Sequence, residues 1–156
     1  MRITLIENGK TRDSFIREGV EQFKKRVIRY VPFSIETLPD LKNTRNLTMK
    51  EVQDQEADLL LRRIKSGDYL ILLDERGSQF DSIAFAEHLN SLEGKVNHLI
   101  FAIGGPYGFS GKAHARADAK ISLSKLTFSH QLIRVLFMEQ LYRAFTILKG
   151  EPYHHA

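Results

Sequence analysis

The chain has 156 residues, 42% hydrophobic and 27% charged, and no cysteine; this describes one ordinary globular domain without disulfides or thiolate chemistry. No apolar stretch nears the roughly 18 residues that a membrane span needs. The N-terminal MRITLIENGKTRDSF has too short an apolar segment for a signal peptide, so a cytoplasmic protein is expected.

In chain order, residues 2–7 (RITLIE) predict a first strand. Phe15, Ile16, Val20, Phe23, Val27 and Tyr30 recur at helical spacing and predict a helix over 12–30. FSIETL (33–38), between Pro32 and Pro39, predicts a second strand, and the polar 40–47 an exposed loop. Thr48 and Glu51 form a capping box that opens a helix reaching about residue 65. YLILLD (69–74) and HLIFAI (98–103) are continuous apolar runs, the mark of strands buried on both faces. A helix is expected over 81–92, a short one after the glycines near 105, and a short strand at KISL (120–123). From His130 to about Lys149 an apolar stripe predicts a long last helix, ended by Gly150. This alternation predicts one α/β domain over 1–156, with a mainly parallel sheet and helices on both faces.

The net charge of +4 is unevenly placed. Residues 1–109 carry 16 Lys/Arg and 16 Asp/Glu, whereas residues 110–156 carry 7 and 3, so 7 − 3 accounts for the whole excess. A phosphate-bearing partner and an ordinary solvated basic face both fit that surplus.

Open parallel sheets bind ligands at the carboxyl ends of their strands. Two such ends carry distinctive loops, Leu73 to Gly77 (LDERG) and Ile103 to Gly108 (IGGPYG). Glycine lets a backbone approach a ligand closely or take a positive φ; a plain tight turn is the alternative. The spacing G-G-x-x-G, in the fourth βα unit, does not match the dinucleotide fingerprint. A P-loop fails too, since Gly105 to Gly111 is one residue too long and Ala113 stands where a hydroxyl is needed. A pocket of late loops, holding something other than a polyphosphate, remains.

Residues 122–156, SLSKLTFSHQLIRVLFMEQLYRAFTILKGEPYHHA, taken with LDERG and FAIGGPYGFS upstream, resemble the ribosomal large-subunit methyltransferase H family of the SPOUT superfamily. The resemblance implies a C-terminal part threaded into a deep trefoil knot, and S-adenosylmethionine as the methyl donor. It further implies a homodimer with its site at the subunit interface. The implied substrate is N3 of a pseudouridine in 23S rRNA of the ribosome. Matching positions imply donor binding by Leu73, Gly104, Gly105 and the segment Ser124, Lys125, Leu126, Thr127, Phe128 and Ser129. They imply catalytic roles for His130, Arg143, Tyr153 and His154. No metal and no membrane enter this reading.

The residue types are consistent with those roles. The N3 proton must leave as the methyl arrives, and histidine titrates near working pH. His130 could instead serve the helix N-terminus. Arg134 and Arg143 lie nine residues apart, so they fall on opposite faces of the last helix; Arg143 is expected to meet RNA phosphate or ring charge, or to pair with Glu139 one turn before it. Tyr153 could stack a splayed base, while Tyr142 fits the core better. Ser129, Ser78 and His155 depart from the family pattern of proline, lysine and a fixed cation. Ser129 can cap the following helix. A non-catalytic RNA-binding relative is the alternative function.

Overall fold

A computed structural model describes all residues, 1–156. Strands β1 (Arg2–Asn8), β2 (Phe33–Leu38), β3 (Tyr69–Gln79), β4 (His98–Ile103) and β5 (Ala119–Ser122) form one sheet. Their order is β2-β1-β4-β3-β5, and every pair is parallel. Helices α1 (Ser14–Val27), α2 (Met49–Leu61), α3 (Ser82–Leu92), α4 (Gly111–Arg116) and α5 (Leu132–Leu148) separate or follow the strands.

The two continuous apolar runs are explained by cover on both faces. Alternate strand residues point to opposite sides. Ile71, Leu99 and Phe101 join a core with Ile16, Leu89, Phe137 and Leu141 from α1, α3 and α5. Leu70, Leu72, Ile100 and Ala102 pack on the other side against Ala57, Leu60 and Ala113 from α2 and α4. The result is three layers, with α5 lying against both α1 and α3.

Local chemistry sets the helix starts. Thr48 and Glu51 make the capping box at α2, with Thr48 Oγ1 accepting from the Glu51 N–H at 3.1 Å. Asp81 Oδ1 accepts from Ala84 N–H at 2.7 Å and opens α3. At the last helix, Ser129 Oγ accepts from Leu132 N–H at 3.0 Å, so α5 begins at Leu132 rather than His130. Gly150, with φ +66°, follows its end. The 40–47 segment holds one short 3₁₀ turn, Thr44–Asn46.

One expectation is corrected. LDERG does not form a loop after a strand ending at residue 74; β3 runs on to Gln79. Strand β5 pairs with it twice, Leu73 and Ser78 both opposing Ile121, with an irregularity between. Gly77 permits this close approach, since a Cβ there would lie 2.7 Å from Ile121 N and Lys120 C. That glycine therefore serves backbone packing.

Candidate active site

Because all five strands are parallel, their carboxyl ends open on one end of the molecule. Leu73, Ile103 and Ile121 stand in register there, on β3, β4 and β5. They line a cleft of about 710 Å³, within the size range of small-molecule sites. Its walls come from β3 past Leu73, from the β4 loop at 104–109, and from 122–130 after β5.

Most residues assigned to donor binding meet in this cleft. Leu73, Gly104, Gly105, Ser124, Leu126, Thr127, Phe128 and Ser129 all line it, and so does His130. Lys125 is exposed and does not line it. Leu126 and Tyr107 leave large apolar surfaces at the rim, 73% and 46% exposed.

The glycines have separate reasons. Gly108 takes φ +76° in a turn closed by its N–H donating to Gly105 O at 3.0 Å. Gly105 meets α2, since a Cβ there would sit 2.3 Å from Glu56 Oε2. Gly104 would find only ordinary contacts, at 3.4 Å. Glu56 lies behind the loop, outside the cleft lining. Burial first, and the Asp40 charge second, push its carboxyl up to about 7, and its Oε1 is buried without a partner.

The cleft is not free of charge. The continuing β3 strand brings Asp74, Glu75 and Arg76 into the wall. Thr127 Oγ1 donates to Glu75 Oε2 at 2.9 Å, which ties the β5 loop to β3. Asp74 Oδ1 accepts from Arg76 N–H at 2.8 Å. The His130 imidazole is held below its usual value by burial and then by the Arg134 and Arg12 charges, which keeps it neutral and able to accept a proton at neutral pH.

Arg143, Tyr153 and His154 gather elsewhere and do not line the cleft. Glu139, one helical turn before Arg143, is their hub. Its Oε1 accepts from Tyr153 Oη at 2.9 Å and from Arg143 Nη2. Arg143 Nη1 lies 3.1 Å from His154 Nδ1, and its guanidinium sits 4.8 Å from the Tyr153 ring centroid. The Tyr153 hydroxyl is pushed up by burial and by its bond to Glu139. Tyr142 packs edge-on to Tyr153, centroids 4.7 Å apart, and also touches the core. Glu139 entered the sequence reading only as an ion-pair partner; its i, i+4 spacing to Arg143 was the signal for more.

Arg134 occupies the opposite face, as the nine-residue spacing predicts, and is fully buried. It donates to Asn8 O at 2.6 Å, Gly9 O at 2.9 Å, Thr11 Oγ1 at 3.0 Å and His130 O at 3.2 Å. Glu7 lies 3.4 Å away. This arginine anchors the last cleft-lining segment to the end of β1, a role the sequence reading did not assign.

The family described as "Predicted SPOUT methyltransferase" matches residues 1–154. The chain is 47% identical over 156 residues to a protein of Parabacteroides distasonis, and 47% to one of Christiangramia forsetii. A Flavobacterium johnsoniae protein is 46% identical, and in each case 99% of both chains is covered. All three relatives bear the name ribosomal RNA large subunit methyltransferase H. With a parallel sheet whose late loops line a cleft, the chain belongs to the SPOUT methyltransferase family.

Proposed function

We propose that this chain is an rRNA methyltransferase that uses S-adenosylmethionine to methylate N3 of a pseudouridine in 23S rRNA of the ribosome. The observation that carries the reading is the cleft at the ends of β3, β4 and β5, in a chain that matches large-subunit rRNA methyltransferases from end to end.

The residues present fit that donor. An aliphatic floor of Leu73, Ile103 and Ile121 suits a flat adenine, and the glycine loop offers main-chain groups to its edge. No lysine and hydroxyl pair is set for a polyphosphate. Asp74 and Glu75 in the wall complement a ligand with positive charge on sulfur and nitrogen. When bound, S-adenosylmethionine supplies an already activated methyl group. The chain then has to orient the uracil ring, exclude water and accept the N3 proton. His130 is the base that lies in the cleft; His154, bonded to Arg143, is the second candidate.

This reading extends to the whole assembly. The Glu139 cluster and the cleft are separate regions of one chain, and a homodimer would bring one subunit's cluster to its partner's cleft. The trefoil knot belongs to the same reading: β5 lies beyond β3, so the chain leaves β4, passes β3 and returns to the cleft through 122–130. A cytoplasmic location follows from a ribosomal substrate.

Titration calorimetry with S-adenosylmethionine tests the first half, with binding expected in the micromolar to millimolar range. Mass mapping of rRNA after incubation of ribosomes with labelled donor tests the second half. Donor binding without labelled rRNA would sink the substrate; absence of both would sink the enzyme. Ribosome binding that ignores the donor, with no label transferred, would favour the RNA-binding alternative.

A further inference from the structure

The excess positive charge of the last third is not all available at the surface. Arg134 is buried against Glu7, and Arg143 is paired with Glu139. Beside Arg76 in the cleft wall and the exposed Lys125, two further exposed cations near the cleft come from the other end of the chain.

The loop after β1, residues 9–13, opens on the same end of the sheet as the cleft, because β1 is parallel to its neighbour β4. It is fastened to the segment that closes the cleft. Gln131, next to the cleft-lining His130, clasps it at two points: its Oε1 accepts from Arg12 N–H at 2.9 Å, and its Nε2 donates to Lys10 O at 3.1 Å. Arg134 holds Asn8 O, Gly9 O and Thr11 Oγ1 from below. Arg17 Nη1 adds a bond to Arg12 O at 3.1 Å. The loop is therefore held through the backbone of Asn8, Gly9, Lys10 and Arg12 and the Thr11 hydroxyl, by groups that leave the Lys10 and Arg12 side chains uninvolved.

Those two side chains remain in water. Lys10 is exposed and forms no ion pair, whereas Arg12, 73% exposed, has Asp40 at 4.0 Å. A pair that open and that long contributes little. Arg12 is nevertheless near enough to His130 for its charge to bear on the imidazole. Two exposed cations on a loop fastened beside the cleft, one of them only weakly paired, form an anion contact whose backbone ordering is already complete. Phosphates spaced along a strand are the anions that would reach both, if a base of that strand occupies the cleft.

We infer that Lys10 and Arg12 bind backbone phosphates of the rRNA strand that delivers its base to the cleft, so that the strand runs past His130 along the loop after β1. This rests on the rRNA methyltransferase reading and names a contact surface within it.

The test compares wild type with Lys10→Ala/Arg12→Ala, measuring ribosome binding across a salt series and donor binding by calorimetry. The double variant should bind ribosomes at least tenfold more weakly at low salt. Its plot of log affinity against log salt should be shallower by about 1.4–1.8, the share of two phosphate contacts. Donor affinity should stay within twofold, and Lys10→Arg/Arg12→Lys should keep the wild-type slope. An unchanged slope would overturn the proposal, as would loss of donor binding in the alanine variant. Full binding to naked rRNA with loss of ribosome binding would also overturn it, by moving the contact to a ribosomal protein. Failure of the underlying reading looks different: wild type itself would neither bind donor nor label rRNA.

Discussion

Gly105 and Glu56 constrain each other. Glycine lets the loop lie against the carboxylate, since any Cβ would fall 2.3 Å from Glu56 Oε2. A larger residue therefore meets the carboxyl end of the Glu56 side chain behind the loop, and the cleft in front is affected as far as that side chain cannot give way and the loop is displaced instead. Overpacking of this kind costs about 1–3 kcal/mol. Gly105→Val should weaken donor binding at least tenfold, and adding Glu56→Ala should recover most of it. A double variant as weak as the single one in calorimetry would show that the valine blocks the cleft itself. Glu56 also carries a pH signature. Its folded pKa of about 7 lies above the ordinary 4.5, so the folded state binds the proton more tightly than the unfolded chain. Stability from this group is complete below about pH 4.5 and declines as the pH rises through 7. Glu56→Gln should flatten that decline, raising the melting temperature relative to wild type at pH 8 and not at pH 4.5. Parallel melting curves across that range would remove Glu56 as the source.

At the scale of elements, the two central strands were legible because burial on both faces demands unbroken apolar runs, and YLILLD and HLIFAI are such runs. The extension of β3 was not. ERGSQ has no apolar period, and its pairing with β5 depends on Gly77 meeting another backbone, which no local pattern records. The cleft-lining segment 124–130 was placed by resemblance, with Lys125 alone falling outside. Arg134 was half legible: it shares the stripe of Met138, Leu141 and Phe145, so a cation on the core face was in view, but its partners at the end of β1 lie over 120 residues away. That arginine joins α5 to the end of β1 and the loop after it through three hydrogen bonds. Glu7, its ionic partner, is itself buried, and burial raises its carboxyl more than Arg134 lowers it. Removing one member of such a pair strands the other. Arg134→Met should cost about 3–5 kcal/mol in urea unfolding, and adding Glu7→Gln should return a part of it. A loss under about 1 kcal/mol would mean that the anchor is dispensable.

Across the whole molecule, the site divides. Residues that resemblance grouped as one catalytic set fall into two places, His130 in the cleft and Arg143, Tyr153 and His154 around Glu139. If two copies pair so that each cluster completes the partner's cleft, damage to the two regions should complement across subunits. One chain would carry Gly105→Val in the cleft and the other Arg143→Ala in the cluster, assayed at a donor concentration too low for the Gly105→Val homodimer to transfer. Unfolding and refolding them together yields about half mixed dimers by random pairing. In each, one site combines an intact cleft with an intact cluster, and the other carries both defects. About a quarter of wild-type methyl transfer should therefore return on mixing. If each cluster instead serves its own chain's cleft, every site in the mixed dimer retains one defect and nothing returns. Sizing and label-transfer measurements on the same refolded sample separate these outcomes, because mixed dimers that form yet stay inactive would reject the shared site while leaving the dimer standing.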